Sequence, residues 1–545
     1  MPRLSYWPLA GMMAAGLMST PAQAAEIGTS NPDVRIRWDN TLKYSTGVRL
    51  RHPSATLVDG PDTVNGDDGD RNLGRGFISQ RFDLLSELDI VYQRFGVRVS
   101  GAAWYDSIYN RDNDNHSPAT ANALSVPYYE FTRATEKLHG RKAELLDAFA
   151  FGSTEIGSTK LSFRAGRHSL LWGESLYFGD NGIAAGQAPI DAVKGLSVPG
   201  TQFKELIRPV PQVSMQLQIT PRISVGAYYQ FHWEETRLPG SGSYFSTSDI
   251  IGAGAERLLL GGPLIPDGGA MGLVRGPDMK PSNGGQGGVQ LRLRVGESDF
   301  GLYAIRYHAK TPQLYGRFYD PAGIDPHTGL VGLYQLAYHE GIRAFGASAS
   351  RSFGDWNVAA EVSMRDNMPL SSDLQDNSTG GGDNHGNALY AIGKTLHAQM
   401  SWLASFGPNF IARESDFSGE IAFNRRMSIT HNPQALNPNA DRDAVNIRFS
   451  YEPRYRQVLP GLDVGVPIGM GIGFGNSSMV DSFYGNHVGN INIGLNMNYL
   501  NTWQITAHYN HYFGPSGPYL VNNSVSYLQS MKDRDFIALS VQRSF

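Results

Sequence analysis

Between Arg35 and Arg51 apolar and polar residues alternate one for one. Ile36, Trp38, Leu42, Tyr44, Val48 and Leu50 fall on even positions, and Arg35, Arg37, Asp39, Thr41, Lys43, Ser45, Arg49 and Arg51 on odd ones. Successive side chains of a strand point to opposite faces, whereas residues i and i+2 of a helix lie on opposite sides of it. The run is therefore a strand with one apolar face. Its length is the sharper constraint. Soluble strands are usually about 5–6 residues long, and at roughly 3.3 Å per residue this one crosses a bilayer with residues to spare.

The pattern recurs along the chain. Phe82, Leu84, Leu88, Ile90 and Tyr92 alternate with Arg81, Asp83, Glu87 and Asp89, and Val289, Leu291, Leu293 and Val295 with Gln290, Arg292 and Arg294. Val213–Ile219, Ile223–Trp233, Leu462–Phe474 and Ile491–Tyr499 read the same way. Long connections near 52–76, 107–146, 171–208, 235–287, 310–336, 367–392, 425–442, 475–487 and 514–532 alternate with short ones at 94–96, 157–159, 220–222, 296–299, 353–355, 406–409, 458–461 and 500–502. Nine long and eight short connections predict 18 strands, with 16 as the alternative because 146–156 and 416–424 are weakly patterned. The expected fold is all-β: a single transmembrane antiparallel up-and-down β-barrel with short periplasmic turns and long extracellular loops. An even strand number places the N- and C-termini together in the periplasm.

Composition agrees with a sheet whose outer face meets lipid. The chain holds 63 Gly, 26 Tyr and 25 Phe, and only 18% of its residues are charged, against roughly 25% in ordinary globular domains. A net charge of −4 without a basic run gives nucleic acid nothing to bind. The absence of cysteine excludes disulfides, thiolate metal sites and cysteine nucleophiles.

Both ends carry sorting signals. Arg3, the apolar run Tyr6–Met18 and Ala22-Gln23-Ala24 read as a signal peptide over 1–24, leaving a barrel over 25–545. Ile537, Leu539, Val541 and Phe545 share one face of the last strand, the form read by the barrel assembly machinery; Arg543 on that face departs from it. Trp38, Tyr92, Tyr105, Trp233, Trp402, Tyr499 and Trp503 are expected at the two membrane interfaces, among lipids and lipopolysaccharide.

Several groups bear on function. Arg35, Arg37, Lys43 and Arg49 should face Asp83, Glu87 and Asp89 on the next strand, which reads most simply as cross-strand ion pairing inside the barrel. Arg164, Arg167, Arg292, Arg294, Arg306 and Arg448 are expected to project inward too, and a basic ladder of this kind would select anions. The segment 171–209 suggests short helices around Asp191–Lys194 and Phe203–Leu206, folded into the barrel as a constriction. The loop 236–288 is apolar for a solvent-side segment, with Ile250, Ile251, Leu258, Leu259, Leu260, Leu264, Ile265, Met271, Leu273 and Val274. Such residues need the barrel interior, the outer leaflet or a hydrophobic ligand. Asp59, Asp62, Asp67, Asp68 and Asp70, and the stretch Asp112–Asn115, have the chemistry for calcium but lack the closing Glu of an EF-hand, so solvated loops are the plainer reading. No G-x-S-x-G or H-E-x-x-H is present, and no cofactor or metal site is expected. His168 beside Ser169 and Glu174 is a chance spacing, and His508 and His511 should face opposite sides of their strand.

The stretches RAGRHSLLWGES (164–175), DAVKGLSVPG (191–200) and the run from Pro209 to Gly252 resemble the proteobacterial domain-of-unknown-function family DUF1302. The resemblance runs through the mature chain and implies a large outer-membrane barrel. It further implies gene neighbours that encode an RND-type exporter of the MMPL group and a periplasmic lipid-binding protein, hence passage of a lipid-like compound. It carries over no functional residues. The expected function is a passive channel or carrier for small, hydrophobic compounds rather than an enzyme. The alternatives are an anion-selective porin for polar solutes and a structural or enzymatic barrel.

Overall fold

A computed structural model describes residues 25–197, 203–260, 271–319 and 329–545. The expected signal peptide, Leu264 and Ile265 fall outside that set. The wall strands are β1 (Val34–Arg49), β2 (Gly76–Tyr92), β3 (Phe95–Asp106), β4 (Arg141–Ile156), β5 (Thr159–His168), β6 (Val210–Thr220), β7 (Ile223–Gln230), β8 (Gln286–Val295) and β9 (Ser298–Tyr307). They continue as β10 (Ile342–Phe353), β11 (Trp356–Pro369), β12 (Ile392–Phe406), β13 (Glu414–His431), β14 (Asp443–Leu459), β15 (Leu462–Gly465 with Ile468–Phe474), β16 (Gly489–Tyr499), β17 (Trp503–Phe513) and β18 (Phe536–Ser544).

The main sheet has 20 hydrogen-bonded segments; β15 is two of them and the short Ala25–Ile27 is another, which leaves a wall of 18 strands. Each strand pairs antiparallel with its sequence neighbours, and β18 returns to β1 with Val541 opposite Tyr44, closing the barrel. Beyond the end of β18, Ala25–Ile27 pairs with Ile36–Trp38. Closure matters because an open edge would leave backbone N–H and C=O groups unpaired in lipid.

Polarity is inverted relative to a soluble fold. Leu42, Phe82, Leu84, Val97, Val99, Leu291, Leu293, Phe345 and Leu495 are exposed on the outside, while Gln290, Ser348, Glu361, Gln399, Glu420 and Asn446 are buried on the inside. Soluble monomers rarely expose a contiguous apolar patch above a few hundred Å². A closed barrel wrapped in such a belt is integral to an outer membrane. Trp38, Tyr92, Tyr105 and Tyr499 lie exposed on the outer face, as expected of interfacial aromatics. Arg543, also outward, rests over the Trp503 ring at 5.3 Å, which accommodates its charge beside the apolar face. Trp233 is a correction. β7 ends before it, and the ring is buried against Tyr338 with its Nε1 donating to the Ala309 carbonyl.

The long loops build a second, five-stranded sheet from Arg257–Leu259, Gly272–Arg275, Gln313–Phe318, Leu330–Ala337 and Gln375–Asp376. Leu258, Leu273, Val331, Tyr334 and Leu336 form its core with Trp233, Ile250 and Tyr338. At the end of β1, Arg534 grips Asp70 through two oxygens at 2.9 Å while Arg49 reaches Asp70 at 2.8 Å and Asp533 at 3.2 Å. The four groups tie loop 50–75 to the entry of β18, and both guanidinium side chains are fully buried.

Candidate functional site

The lumen is the candidate site, and the segment after β5 shapes it. Ser169–Ser197 and Phe203–Ile207 leave the wall and pack against inward-facing side chains of several strands, with an antiparallel bridge between Ile190 and Ile207. Trp172 meets the Tyr228 ring edge-on at 4.9 Å, Ile183 packs with Ile305 and Ala344, and Phe178 meets Phe483 from loop 475–488 at 5.4 Å. Short helices at Ala192–Ser197 and Phe203–Leu206 stand where the sequence placed them.

Buried polar groups on the wall hold this segment by its backbone. Glu420, on the inner face of β13, accepts the N–H groups of Leu176 (3.1 Å), Tyr177 and Phe178 (2.8 Å) and the Ser175 hydroxyl (3.2 Å). Glu361 on β11 accepts the N–H groups of Glu174 (2.8 Å) and Ile183. Arg365 donates to the carbonyls of Asp180 (2.8 Å) and Gly182 (2.9 Å). A carboxylate out of water is stable only when its lone pairs are used, and here peptide N–H groups use them. Gly173 has φ +88°, and a Cβ there would overlap Glu361 Oε2, so both backbone conformation and space call for glycine.

Below this segment a cavity of about 520 Å³ extends toward the short-turn rim. Arg94, Lys160, Arg164 and Arg292 line it with Ser162, Ser214, Gln216 and Gln290, and Phe151, Leu170, Leu171 and Trp172 supply its apolar part. Arg94 pairs with Glu155 at 3.1 Å, and Arg292 has Glu174 at 3.9 Å. Among the described residues Arg164 makes no ion pair; its guanidinium lies over the Phe149 ring at 5.8 Å. The lining is a cationic wall beside an aromatic one, able to take a carboxylate at one side and an apolar body at the other.

The DUF1302 family profile, described as a protein of unknown function, matches residues 7–545. The chain belongs to this family. No curated protein matches it. Among solved structures, this DUF1302 barrel is similar to Acinetobacter baumannii OccAB4 (10% identity, 96% of this chain and 100% of that one, TM-score 0.42). It is similar also to Pseudomonas aeruginosa OccK2 in complex with glucuronate (10%, 94% and 98%, 0.40) and to the Acinetobacter baumannii outer membrane channel DcaP (8%, 96% and 100%, 0.38).

The expected inward arginines divide. Arg164, Arg292, Arg294 and Arg448 face the lumen of this family member. Arg294 is held by Asp299 through two oxygens at 2.8 and 2.9 Å, and Arg448 lies over the Tyr177 ring at 5.3 Å. Arg167 and Arg306 are corrections. Three residues past Arg164 in unbroken register, Arg167 takes the opposite face and pairs with Glu234 at 2.6 Å. Arg306 falls opposite Gly287 on the outer face and donates to the Gly285 carbonyl at 3.0 Å.

Lys43 stands opposite Asp83 and Arg37 opposite Asp89 in register, but the expected ion pairs between these strands are not among those formed by the described residues: Arg37 pairs with Asp39 at 2.6 Å on its own strand and Arg49 with Asp70 and Asp533. Asp83 is bound by Arg81 at 2.6 Å, and Arg98 reaches Glu87 at 3.2 Å and Asp89 at 3.3 Å. Leu258 and Leu259 form no exposed apolar surface. Both are buried within the loops, Leu258 in the core of the second sheet, and only Leu260 of the three is exposed. The partner that these apolar residues need is the loop assembly itself. His168 bonds Ser214 Oγ at 2.8 Å and the Gly166 carbonyl at 3.1 Å rather than Ser169 or Glu174. His508 lies opposite Ala538 on the inner face, while His511, three residues on, reaches Asp535 at 2.9 Å.

Sequence reasoning missed Glu361, Glu420 and Arg365. For Glu361 a signal existed: it sits at a lumen position whose cross-strand neighbours are Ser348 and Gln399, so a buried charge there needed a partner from outside the wall. For Glu420 the neighbour Arg448 offered a false answer.

Proposed function

We propose that this barrel is a passive channel of the Gram-negative outer membrane for small organic anions with an apolar part. The observation that carries the reading is the cavity under the inserted segment, where Lys160, Arg164 and Arg292 face the same space as Phe151 and Trp172. The segment 171–209 is the constriction on this reading, the long loops face the exterior, both termini are periplasmic, and residues 1–24 are removed as a signal peptide. The apolar packing of Trp172, Phe178 and Phe483 in the lumen favours a second reading: a carrier for hydrophobic, lipid-like compounds that conducts few ions. On the family resemblance, an RND exporter and a periplasmic lipid-binding protein would then be its partners.

Planar-bilayer recording separates the two readings. Under a KCl gradient the wild type should show a reversal potential of anion-selective sign. Arg164→Glu with Arg292→Glu should move it toward cation selectivity and slow entry of an aromatic carboxylate into liposomes, while a neutral sugar of equal size is unaffected. A reversal potential unchanged by the double substitution refutes the anion reading. Electrical silence with saturable binding of a hydrophobic compound supports the carrier.

A further inference from the structure

We infer that the long-loop rim holds a calcium ion between Asp67, Asp68 and Asp249. Asp67 and Asp68 come from loop 50–75 and Asp249 from the loop after β7, far apart in the chain. Each offers a carboxylate oxygen within 4.8 Å of the other two, and all three side chains are buried. One ion with Ca–O distances of about 2.3–2.6 Å spans that separation.

The second observation is the bookkeeping of oxygens. Asp67 Oδ2 is held by Arg71 Nε at 2.5 Å, and Asp249 Oδ2 by the Asp68 N–H at 3.1 Å. That leaves Oδ1 of each buried and without a well-formed hydrogen bond, the Thr120 hydroxyl standing beside Asp67 and the Gly242 N–H beside Asp249. Asp68 accepts the Asn122 N–H at 3.0 Å, and the side-chain oxygen of Asn122 is likewise buried and bare. A buried polar atom without a partner costs about 1–3 kcal/mol, more when it is charged. Three carboxylates face Arg71 and, more remotely, Arg257 and Arg534, so cationic side chains do not satisfy the bare oxygens. Hard carboxylate and carbonyl oxygens without nitrogen or sulfur suit Ca²⁺ over a transition metal. Burial raises Asp67 to about 6, and burial together with Asp67 raises Asp249 to about 7.

The ion would act as a staple. Asn122 belongs to the loop after β3, and Asn65 next to the site accepts from Leu259 N–H and Asn122 Nδ2 at 2.8 and 2.9 Å, so three loops meet here.

The test uses the full barrel in detergent, stripped with EGTA at pH 7.5 and titrated with CaCl₂ by calorimetry. One Ca²⁺ per chain is expected, with a higher Tm. Asp249→Asn and Asp67→Asn should abolish it, whereas Asp112→Asn, an exposed carboxylate of the other acidic stretch, should bind as wild type. Three results would overturn the inference: no stoichiometric uptake by the wild type, uptake unchanged in both buried variants, or uptake lost in Asp112→Asn instead. Because chelation of the wild type is itself a readout, a variant that fails to fold leaves the inference falsifiable.

Discussion

Replacing Glu420 with alanine should loosen the inserted segment from the wall without opening the wall itself. Glu420 receives three backbone N–H groups and one hydroxyl. Hydrogen bonds to a charged group are worth roughly 1.5–3 kcal/mol each. Because the released segment exchanges these bonds for bonds to water, the net loss is nearer about 1 kcal/mol per bond. Four bonds then shift the balance between docked and released segment by about 3–4 kcal/mol, a change of order 10²–10³ in population at 1.4 kcal/mol per decade. Glu420→Gln keeps one carbonyl oxygen and the shape of the side chain, so about half that effect should remain.

Single-channel recording reads this directly. Glu420→Ala should spend more time in a high-conductance state, Glu420→Gln an intermediate time, and the wild type the least. Glu414→Ala provides the comparison, since Glu414 pairs with Arg456 at the short-turn rim with both side chains about half exposed, and such pairs contribute little. A Glu420→Ala barrel that folds, by its heat-dependent mobility on a gel, yet conducts like the wild type would refute the reasoning. The segment would then be held by its apolar packing, with the carboxylate merely satisfied by it.

Two further outcomes follow from the loop charges. Asp70→Ala strands the buried guanidinium of Arg534, and removing one partner of a buried pair costs about 3–5 kcal/mol; calorimetry should show a lowered Tm, while a Tm within error of wild type would show that Asp533 takes over both arginines. The pH response of the calcium-stripped barrel has two opposed parts. Burial pushes Asp70 up, but Arg534 and Arg49 outweigh it and hold it low, so its contribution is full above the unfolded value of about 3.9 and is lost as pH falls through the folded one. Asp67 and Asp249, raised to about 6 and 7, act in reverse: stability is greatest when they are protonated and falls as pH rises from about 4 through those values. The stripped barrel should therefore resist trypsin at its loops better at pH 5.5 than at pH 8, and calcium should remove the difference.

The wall was legible because a strand face has one rule. Lipid outside and lumen inside force alternation, so the register of Lys43 against Asp83 and the inward direction of Arg164, Arg292, Arg294 and Arg448 follow from counting in twos. Where counting failed, the face was misjudged: Arg167 lies three residues from Arg164, an odd step, and Arg306 one residue from Tyr307, which faces inward. The loops follow no such rule. Leu258 and Leu273 looked like exposed apolar residues because nothing in the local sequence shows that Val331 and Tyr334 come back to cover them. Glu361 and Glu420 were hidden for a related reason. Their partners are peptide N–H groups of another segment, and a peptide N–H has no letter in the sequence.

These two failures bear on what the barrel carries. Loop apolarity counts as evidence for a hydrophobic solute only while the residues lack a partner, and Leu258 and Leu259 have one. Lumen charge counts as evidence for an ionic solute only where the charge is not already answered. Asp83, Glu87 and Arg294 are answered by neighbours on the wall, at 2.6, 3.2 and 2.8 Å. Such pairs, within one strand for Arg81 and Asp83 and across strands for the other two, present little net field to a passing molecule. Arg164 has an aromatic ring and no carboxylate among the described residues, and the one ion pair of Arg292 among them is with Glu174 at 3.9 Å, contributed by the inserted segment, with Asp299 of the wall, already held by Arg294, farther off. If that segment shifts, Glu174 leaves with it and Arg292 joins Arg164 as a cation without an ion pair, facing Phe151. Release of the segment thus widens the path and raises its positive potential together, so the Glu420 and Arg292 substitutions should be non-additive: Arg292→Glu should change selectivity more in the Glu420→Ala background than in the wild type.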